Sequence, residues 1–163
     1  MRTLTSTIAL AAMALAATPV LAHEHGDDHS SKRAIMPENE QARAFQEQFG
    51  FSEATIHGDS VYLSGIIAGP VPEGMTDEQM YDAVFAYIGG VLERAGSSWD
   101  DVVDITTYHV DIEQSLPPLS AAKNKVVKAP FPAWTAIDID RLYTPGGLVE
   151  IKVTAKLSAA EAK

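Results

Sequence analysis

Histidines are the residues of this chain best suited to bind a transition metal. Three of the five, His23, His25 and His29, lie close together near the N-terminus among acidic residues. The other two, His57 and His109, have no partner at ligand spacing, and we interpret both as structural. Cysteine is absent from the sequence, which excludes thiol chemistry, disulfide bonds and cysteine-ligated metal. Any metal chemistry would therefore fall to the N-terminal cluster.

The segment before this cluster has the three-part layout of a cleavable secretory signal peptide, residues 1–22. Arg2 supplies the positive charge, residues 8–17 form an apolar run, and Val20-Leu21-Ala22 forms the cleavage region. The run is about ten residues long, which is too short for a bilayer span of about 20 residues. We expect cleavage after Ala22 and a periplasmic or secreted protein that has no membrane span afterwards. The alternative is a membrane-tethered form that keeps its signal segment.

Cleavage at that point would leave His23-Glu24-His25 as the new N-terminus. A free amine, two backbone amides and a third-position histidine can hold Cu(II) or Ni(II) in a square plane, and His29 adds a further donor. The alternative interpretation is a solvated spacer, because a short histidine-rich tract is only a compositional signal. We expect residues 23–36 to be a disordered tail under both interpretations, and we expect no other cofactor.

The charge of the chain sets limits on its partners. The formal net charge is −10 at pH 7, and removal of Arg2 with the signal peptide would make it one unit more negative. A surface this acidic repels phosphate backbones, which require clustered lysine and arginine. Nucleic acid is therefore excluded as an expected partner. Residues 37–163 are long enough for one domain with a single core.

Three segments carry helix signals. Residues 37–48 predict a short helix that begins near Pro37 and ends before Gly50. The capping box Thr76-Asp77-Glu78-Gln79 predicts a long helix that runs to Gly96. After a break at Pro117-Pro118, residues 119–128 predict a further short helix.

Alternating and β-branched segments predict five strands. Residues 54–64 predict a hairpin, and residues 102–110, 133–139 and 148–157 predict three more strands. The resulting order predicts an α+β fold in which two helices cover one face of a mixed sheet. We expect the other face to be buried between subunits by apolar residues of the last two strands, Ile137, Ile139, Val149, Ile151 and Val153.

Five segments in this order and spacing resemble the RidA/YjgF family over about residues 51–157. They are Tyr62-Leu63-Ser64-Gly65, Leu92-Glu93-Arg94-Ala95-Gly96, the strand at 102–111, Ala129-Pro130-Phe131-Pro132-Ala133, and Val149-Glu150-Ile151. The resemblance implies a chorismate-mutase-like α+β fold, a homotrimer, and three ligand clefts at the subunit interfaces. In active members it also implies hydrolysis of imine and enamine intermediates to keto acids and ammonia.

Trp134 departs from the pattern of this family. The resemblance implies an arginine at this position, whose guanidinium would bind the carboxylate of the imino acid. An indole offers one neutral N–H instead of two charged, parallel hydrogen bonds. The exchange should weaken binding about a hundredfold or more, since each 1.4 kcal/mol is tenfold. Phe51 stands where many members have tyrosine, so a phenolic hydroxyl is also missing.

The remaining cleft positions implied by the resemblance are retained. They are Ser64, Gly65, Glu150 and the backbone of Thr135. Glu150 and Ser64 are the candidate catalytic residues, because a carboxylate beside a bound water can act as a general base. Phe51, Gly65, Trp134 and Thr135 are the candidate ligand-binding residues.

Each assignment has a structural alternative. Trp134 can be an ordinary packing residue at a subunit interface. Glu150 can be an exposed strand acid that pairs with Lys152 or another neighbour. Ser64-Gly65 is also plain turn chemistry.

Three functional hypotheses follow. The first is an exported trimer that binds a small, flat or apolar, neutral or cationic ligand and lacks the usual 2-imino-acid deaminase activity. The second is an imine or enamine hydrolase whose substrate has no carboxylate. The third is a holdase-like or purely structural trimer without a ligand.

Overall fold

The protein, described here by a computed structural model over residues 32–159, contains a seven-stranded mixed sheet and three α-helices. The strands are β1 (Arg33–Ile35), β2 (Ala54–His57), β3 (Ser60–Leu63), β4 (Ile66–Ala68), β5 (Val102–His109), β6 (Ala133–Asp138) and β7 (Val149–Lys156). The helices are α1 (Glu40–Phe49), α2 (Asp77–Ala95) and α3 (Ile112–Val126), and a short 3-10 helix spans Trp99–Asp101.

The order of strands in the sheet is β1-β2-β3-β7-β5-β6, and β4 pairs with β7. All the strand pairs are antiparallel except β5 with β6, which is parallel. Helices α2 and α3 contact each other and the sheet. The predicted α+β fold with a mixed sheet is confirmed, and β6 lies at the end of the sheet with all six of its residues exposed.

Helix α2 forms as its capping signal predicts. The Thr76 hydroxyl accepts the N–H of Gln79 at 3.2 Å, and the Gln79 side chain accepts the N–H of Thr76 at 2.9 Å. Gly96 ends the helix with φ 81°, a left-handed conformation that glycine adopts at little cost. The buried face of α2 then supplies much of the core, including Tyr81, Phe85 and Ile88.

The prediction for α3 was wrong at its start. The helix begins at Ile112, seven residues earlier than expected, and it contains Pro117 and Pro118. Asp111 caps it by accepting the N–H of Gln114 at 3.1 Å. The two prolines remove two helical N–H donors, but the capped first turn is already formed and Leu119 is fully buried beyond them. Packing therefore overrides the local preference.

The N-terminal boundaries also differ from the prediction. Helix α1 begins at Glu40 instead of near Pro37, because Asn39 is the cap and accepts the N–H of Ala42 at 3.0 Å. Residues 33–35, placed in the disordered tail, form β1 and pair with β2. Three residues are too few to show an alternating pattern. The predicted signal peptide and the histidines His23, His25 and His29 lie outside the described residues.

The face of the sheet opposite the helices is more polar than expected. Val149, Ile151 and Val153 are buried in the core under the helices. The residues of β7 that alternate with them on the open face are Glu150, Lys152 and Thr154. The apolar contribution to the open face instead includes Tyr62 and Ile137, which are 46% and 40% exposed.

Strand β4 was not predicted, since Gly65 and Gly69 bracket it and only three residues lie in the strand. Within residues 32–159, no helix has both the length and the apolar composition that a membrane crossing requires.

Candidate functional site

A cavity of about 260 Å³ opens between α1, α2 and the two segments that flank the β2–β3 hairpin. Phe51, Ser64 and Gly65 line it, together with Glu53 and Tyr87. Phe51 enters the cavity wall directly after the left-handed Gly50 that ends α1, and its N–H donates to the Gln46 carbonyl at 3.0 Å. The structure therefore brings three of the predicted ligand and catalytic residues into one place.

Ser64 is fixed by two hydrogen bonds. Its hydroxyl donates to the Ser52 carbonyl at 2.6 Å, and its backbone N–H donates to the Glu53 carbonyl at 2.9 Å. The only hydroxyl proton is thus in use, and Ser64 can offer a ligand lone pairs but no donor. As arranged, it is a binding group and not a nucleophile.

Glu150 reaches the same place from β7. It is half-buried, and a Cβ added at Gly65 would overlap its carboxylate. A side chain at position 65 would therefore displace the Glu150 carboxylate. Lys152, on the same face of β7, donates to the Leu63 carbonyl at 3.2 Å.

Trp134 and Thr135 lie apart from these residues. They belong to β6, which β5 separates from β7. The Trp134 indole lies on the helix-covered side, where Lys123 Nζ of α3 is 4.6 Å from the centre of its ring system. Glu150 is on the open face. Within one chain, Trp134 and Glu150 therefore lie on opposite faces of the sheet, whereas Thr135, which pairs with Thr106, lies on the open face.

The single donor of Trp134 is already used. Its Nε1–H donates to Thr107 Oγ1 at 3.1 Å, while 37% of the residue remains exposed. A ligand can stack on the exposed ring, but the indole N–H is not available to a carboxylate.

A charged network that the sequence did not predict lies beside the cavity. Glu53 is only 3% exposed, and it accepts hydrogen bonds from the Tyr87 hydroxyl and from Arg94. Burial and the Glu53 contact raise the pKa of Tyr87 to about 12. Tyr87 and Arg94 are seven residues apart on α2, which places them on one helix face. The seven-residue spacing could have predicted that Tyr87 and Arg94 act together. The residues around β2 gave no indication that Glu53 is buried.

Four aromatic side chains, Phe45, Phe49, Phe51 and Tyr143, form an exposed group that we call the aromatic cluster. Ring centroids are 4.7 Å apart for Phe45 and Phe49, 6.2 Å for Phe45 and Phe51, and 6.3 Å for Phe49 and Tyr143. The cluster surrounds a second space of about 380 Å³ that shares Phe45, Phe51 and Gly65 with the first cavity.

Comparison with known proteins identifies the fold and the family. The sequence matches the family described as "Endoribonuclease L-PSP" over residues 41–157. It is 32% identical over 111 residues to the RutC family protein YjgH of Escherichia coli strain K12, covering 66% of this chain and 82% of that protein. The chain belongs to the RidA/YjgF family.

Solved structures of relatives agree with this assignment. A structure of YjgH has a TM-score of 0.65 and 28% identity, covering 77% of this chain and 96% of that one. A YjgF-family protein from Neisseria meningitidis has a TM-score of 0.64 and 25% identity, covering 80% of this chain and 98% of that one. The YjgF fold is thus shared over nearly all of the described residues.

In this RidA/YjgF protein, Trp134 ends a buried chain of hydrogen bonds. Ser115 donates its hydroxyl proton to the Asp111 carbonyl, so it must accept from His109 Nδ1 at 2.7 Å. His109 Nε2 then accepts from the Thr107 hydroxyl at 2.9 Å, and Thr107 accepts from Trp134. The Thr107 hydroxyl proton has two acceptors within reach, His109 Nε2 at 2.9 Å and the Thr135 carbonyl at 3.4 Å. With the proton on the shorter of these contacts, His109 is neutral and protonated on Nδ1. A place in this buried hydrogen-bond chain agrees with the interpretation of His109 as a structural residue.

Burial lowers the pKa of His109, and Asp138 opposes the shift. Because the folded state favours neutral histidine, this stabilisation is complete above pH 6.5 and is lost as the pH falls below it. We expect the difference in unfolding free energy between wild type and His109→Gln to shrink on acidification, by at most about 1.4 kcal/mol per pH unit. Urea titrations at a series of pH values measure this difference. A difference that is constant or grows would contradict the prediction.

Metal binding has no candidate site in the described part of this family member. Residues 32–159 contain no group of three or more histidine, aspartate or glutamate side chains arranged to hold an ion. His23, His25 and His29 lie outside that range.

Proposed function

We propose that this protein binds a small ligand in clefts between the subunits of a homotrimer and lacks the 2-imino-acid deaminase activity that the family resemblance implies. The observation that carries the proposal is the hydrogen bond from Trp134 Nε1 to Thr107 Oγ1. It consumes the only donor at the position where a carboxylate-binding guanidinium would stand, so an imino acid has no anchor there.

The trimer is part of the proposal because the site is incomplete in one chain. Phe51, Ser64, Gly65 and Glu150 form one half, and Trp134 and Thr135 form the other half on β6. An edge strand with exposed side chains and unpaired backbone groups invites a partner. A second copy bound along β6 would place the half-site that contains its own Phe51 against the half-site that contains Trp134 of the first copy.

The charges near the site disfavour an anionic ligand. Lys123 is the cation beside Trp134, but it is only 8% exposed, packs on the indole, and donates to the Asn124 side chain at 2.9 Å. The chain as a whole is strongly acidic, with a net charge of −10. A negative field of this kind repels anionic substrates, including the RNA named in the description of the family.

A second candidate function rests on Glu150. Its carboxylate lies against Gly65 at the edge of the cavity, where it can hold a water molecule as a general base. This arrangement supports hydrolysis of an imine or enamine that has no carboxylate. Under that function, Glu150→Ala abolishes turnover of a neutral enamine, whereas unchanged turnover refutes it.

We also propose export through the signal peptide at residues 1–22, to the periplasm or the cell exterior. The tail that cleavage would expose carries His23, His25 and His29. We propose that the amine and amide nitrogens of this tail bind Cu(II) or Ni(II).

Native mass spectrometry of the purified mature protein tests these proposals together. We expect a trimer mass with additional small-molecule mass, and copper adducts that disappear when residues 23–29 are deleted. A monomer with no bound molecule would overturn the proposed cleft. Equal copper uptake by the truncated chain would overturn the tail site alone.

A further inference from the structure

The polar side chains around the 260 Å³ cavity offer hydrogen-bond acceptors. Gln46 Oε1 is buried and has no partner among residues 32–159. The hydroxyl protons of Ser64 and Tyr87 are donated to the Ser52 carbonyl and to Glu53, which leaves only their lone pairs for a ligand. A buried acceptor without a donor is costly, so a ligand that fills the cavity must bring donors.

The charges at the cavity favour a cation. Arg94 balances the Glu53 carboxylate through their ion pair. Among residues 32–159, no lysine or arginine lines the cavity. Glu150 adds a carboxylate at the rim, where it lies against Gly65. The cavity is therefore lined without a cation of its own, in a chain that is acidic overall.

The aromatic cluster extends the site on its apolar side. It surrounds the 380 Å³ space, which adjoins the acceptor-lined cavity and shares Phe45, Phe51 and Gly65 with it as lining residues. Aromatic faces attract cations within about 6 Å and stack with flat apolar groups. A ligand that spans both spaces would thus have a donor-rich cationic end and a flat apolar body.

We propose that the cleft binds a primary ammonium group carried on an aromatic body. The ammonium supplies three N–H donors to Gln46 Oε1, Ser64 Oγ and the Tyr87–Glu53 pair, and the ring packs in the aromatic cluster. This inference rests on the proposed function, since it names the class of ligand for the same site. It reverses the charge preference that the family resemblance implies.

Three probes of similar shape and different charge test the proposal by calorimetric titration of the mature protein. They are 2-phenylethylammonium, 2-phenylethanol and 3-phenylpropanoate. We expect the ammonium to bind about tenfold or more tightly than the alcohol, because hydrogen bonds from a charged donor are stronger than those from a neutral one. We expect no measurable binding of the carboxylate.

Two glutamines of α1 give a matched pair of variants. Gln46→Met removes the buried acceptor with little change of volume, and Gln48→Met alters an exposed residue that does not line the cavity. Gln46→Met should weaken ammonium binding about fivefold or more, and Gln48→Met should leave it unchanged. Since α1 buries none of its residues, both variants should fold.

Equal or tighter binding of the alcohol or the carboxylate would overturn the ammonium proposal and leave the small-ligand function intact. Failure of all three probes would also overturn it, and the mass spectrum of the purified protein would then decide the small-ligand function separately. Equal weakening by Gln46→Met and Gln48→Met would show that the cavity is not the binding place.

Discussion

Trp134→Arg combined with Lys123→Gln should raise kcat/KM for 2-iminopropanoate about 100-fold or more above wild type. The guanidinium would supply the charged, two-pronged contact for the carboxylate, which is worth a few kcal/mol. The second change is needed because Lys123 Nζ is 4.6 Å from the indole ring, and an arginine there would meet a like charge. Steady-state hydrolysis assays measure the gain.

Matched variants separate charge from shape at this position. Trp134→Phe keeps an aromatic ring without any donor and should remain inactive, as should Lys123→Gln alone. Trp134→Lys provides a point charge without the planar guanidinium and should recover less activity than Trp134→Arg. If the arginine variant folds as wild type does and its activity stays at the wild-type level, the missing guanidinium is not the reason for inactivity.

Arg94→Leu should lower the unfolding free energy by about 3 kcal/mol, because it leaves the Glu53 carboxylate buried without its cation. Glu53 is 3% exposed, and its other partner is the neutral hydroxyl of Tyr87. Urea unfolding at one fixed protein concentration measures the loss, since the stability of an oligomer depends on concentration.

Lys125→Leu is the matched control for this prediction. Lys125 pairs with Glu78 and Asp82, but its side chain and theirs are 40% or more exposed. A surface pair of this kind contributes about 1 kcal/mol or less. If Arg94→Leu costs no more than Lys125→Leu, the Glu53 network does not hold the α2 side of the cavity in place.

Capping residues and alternating apolar residues in the sequence correctly predicted α2 and the β2–β3 hairpin. The capping box at Thr76 and the glycine at Gly96 bounded α2, and alternation defined the β2–β3 hairpin. Signals failed where packing decides the structure, as in α3, which continues through Pro117 and Pro118. Strands β1 and β4 contain three residues each and exist only through their pairing with β2 and β7.

Only part of the candidate site could be predicted from the sequence. The family resemblance located Phe51, Ser64, Gly65 and Glu150, which the fold brings together. Residue types alone could not show that Thr107 uses the Trp134 donor, because that contact depends on the register between β5 and β6. Glu53 was missed since its partners come from α2, more than thirty residues later in the chain.

The most direct test of the central claim is the rate at which purified wild-type protein hydrolyses 2-iminopropanoate. With no guanidinium at position 134 and the Trp134 N–H donated to Thr107, we expect no rate above the uncatalysed reaction. Turnover at a rate typical of active family members would contradict the claim that the substrate carboxylate has lost its anchor.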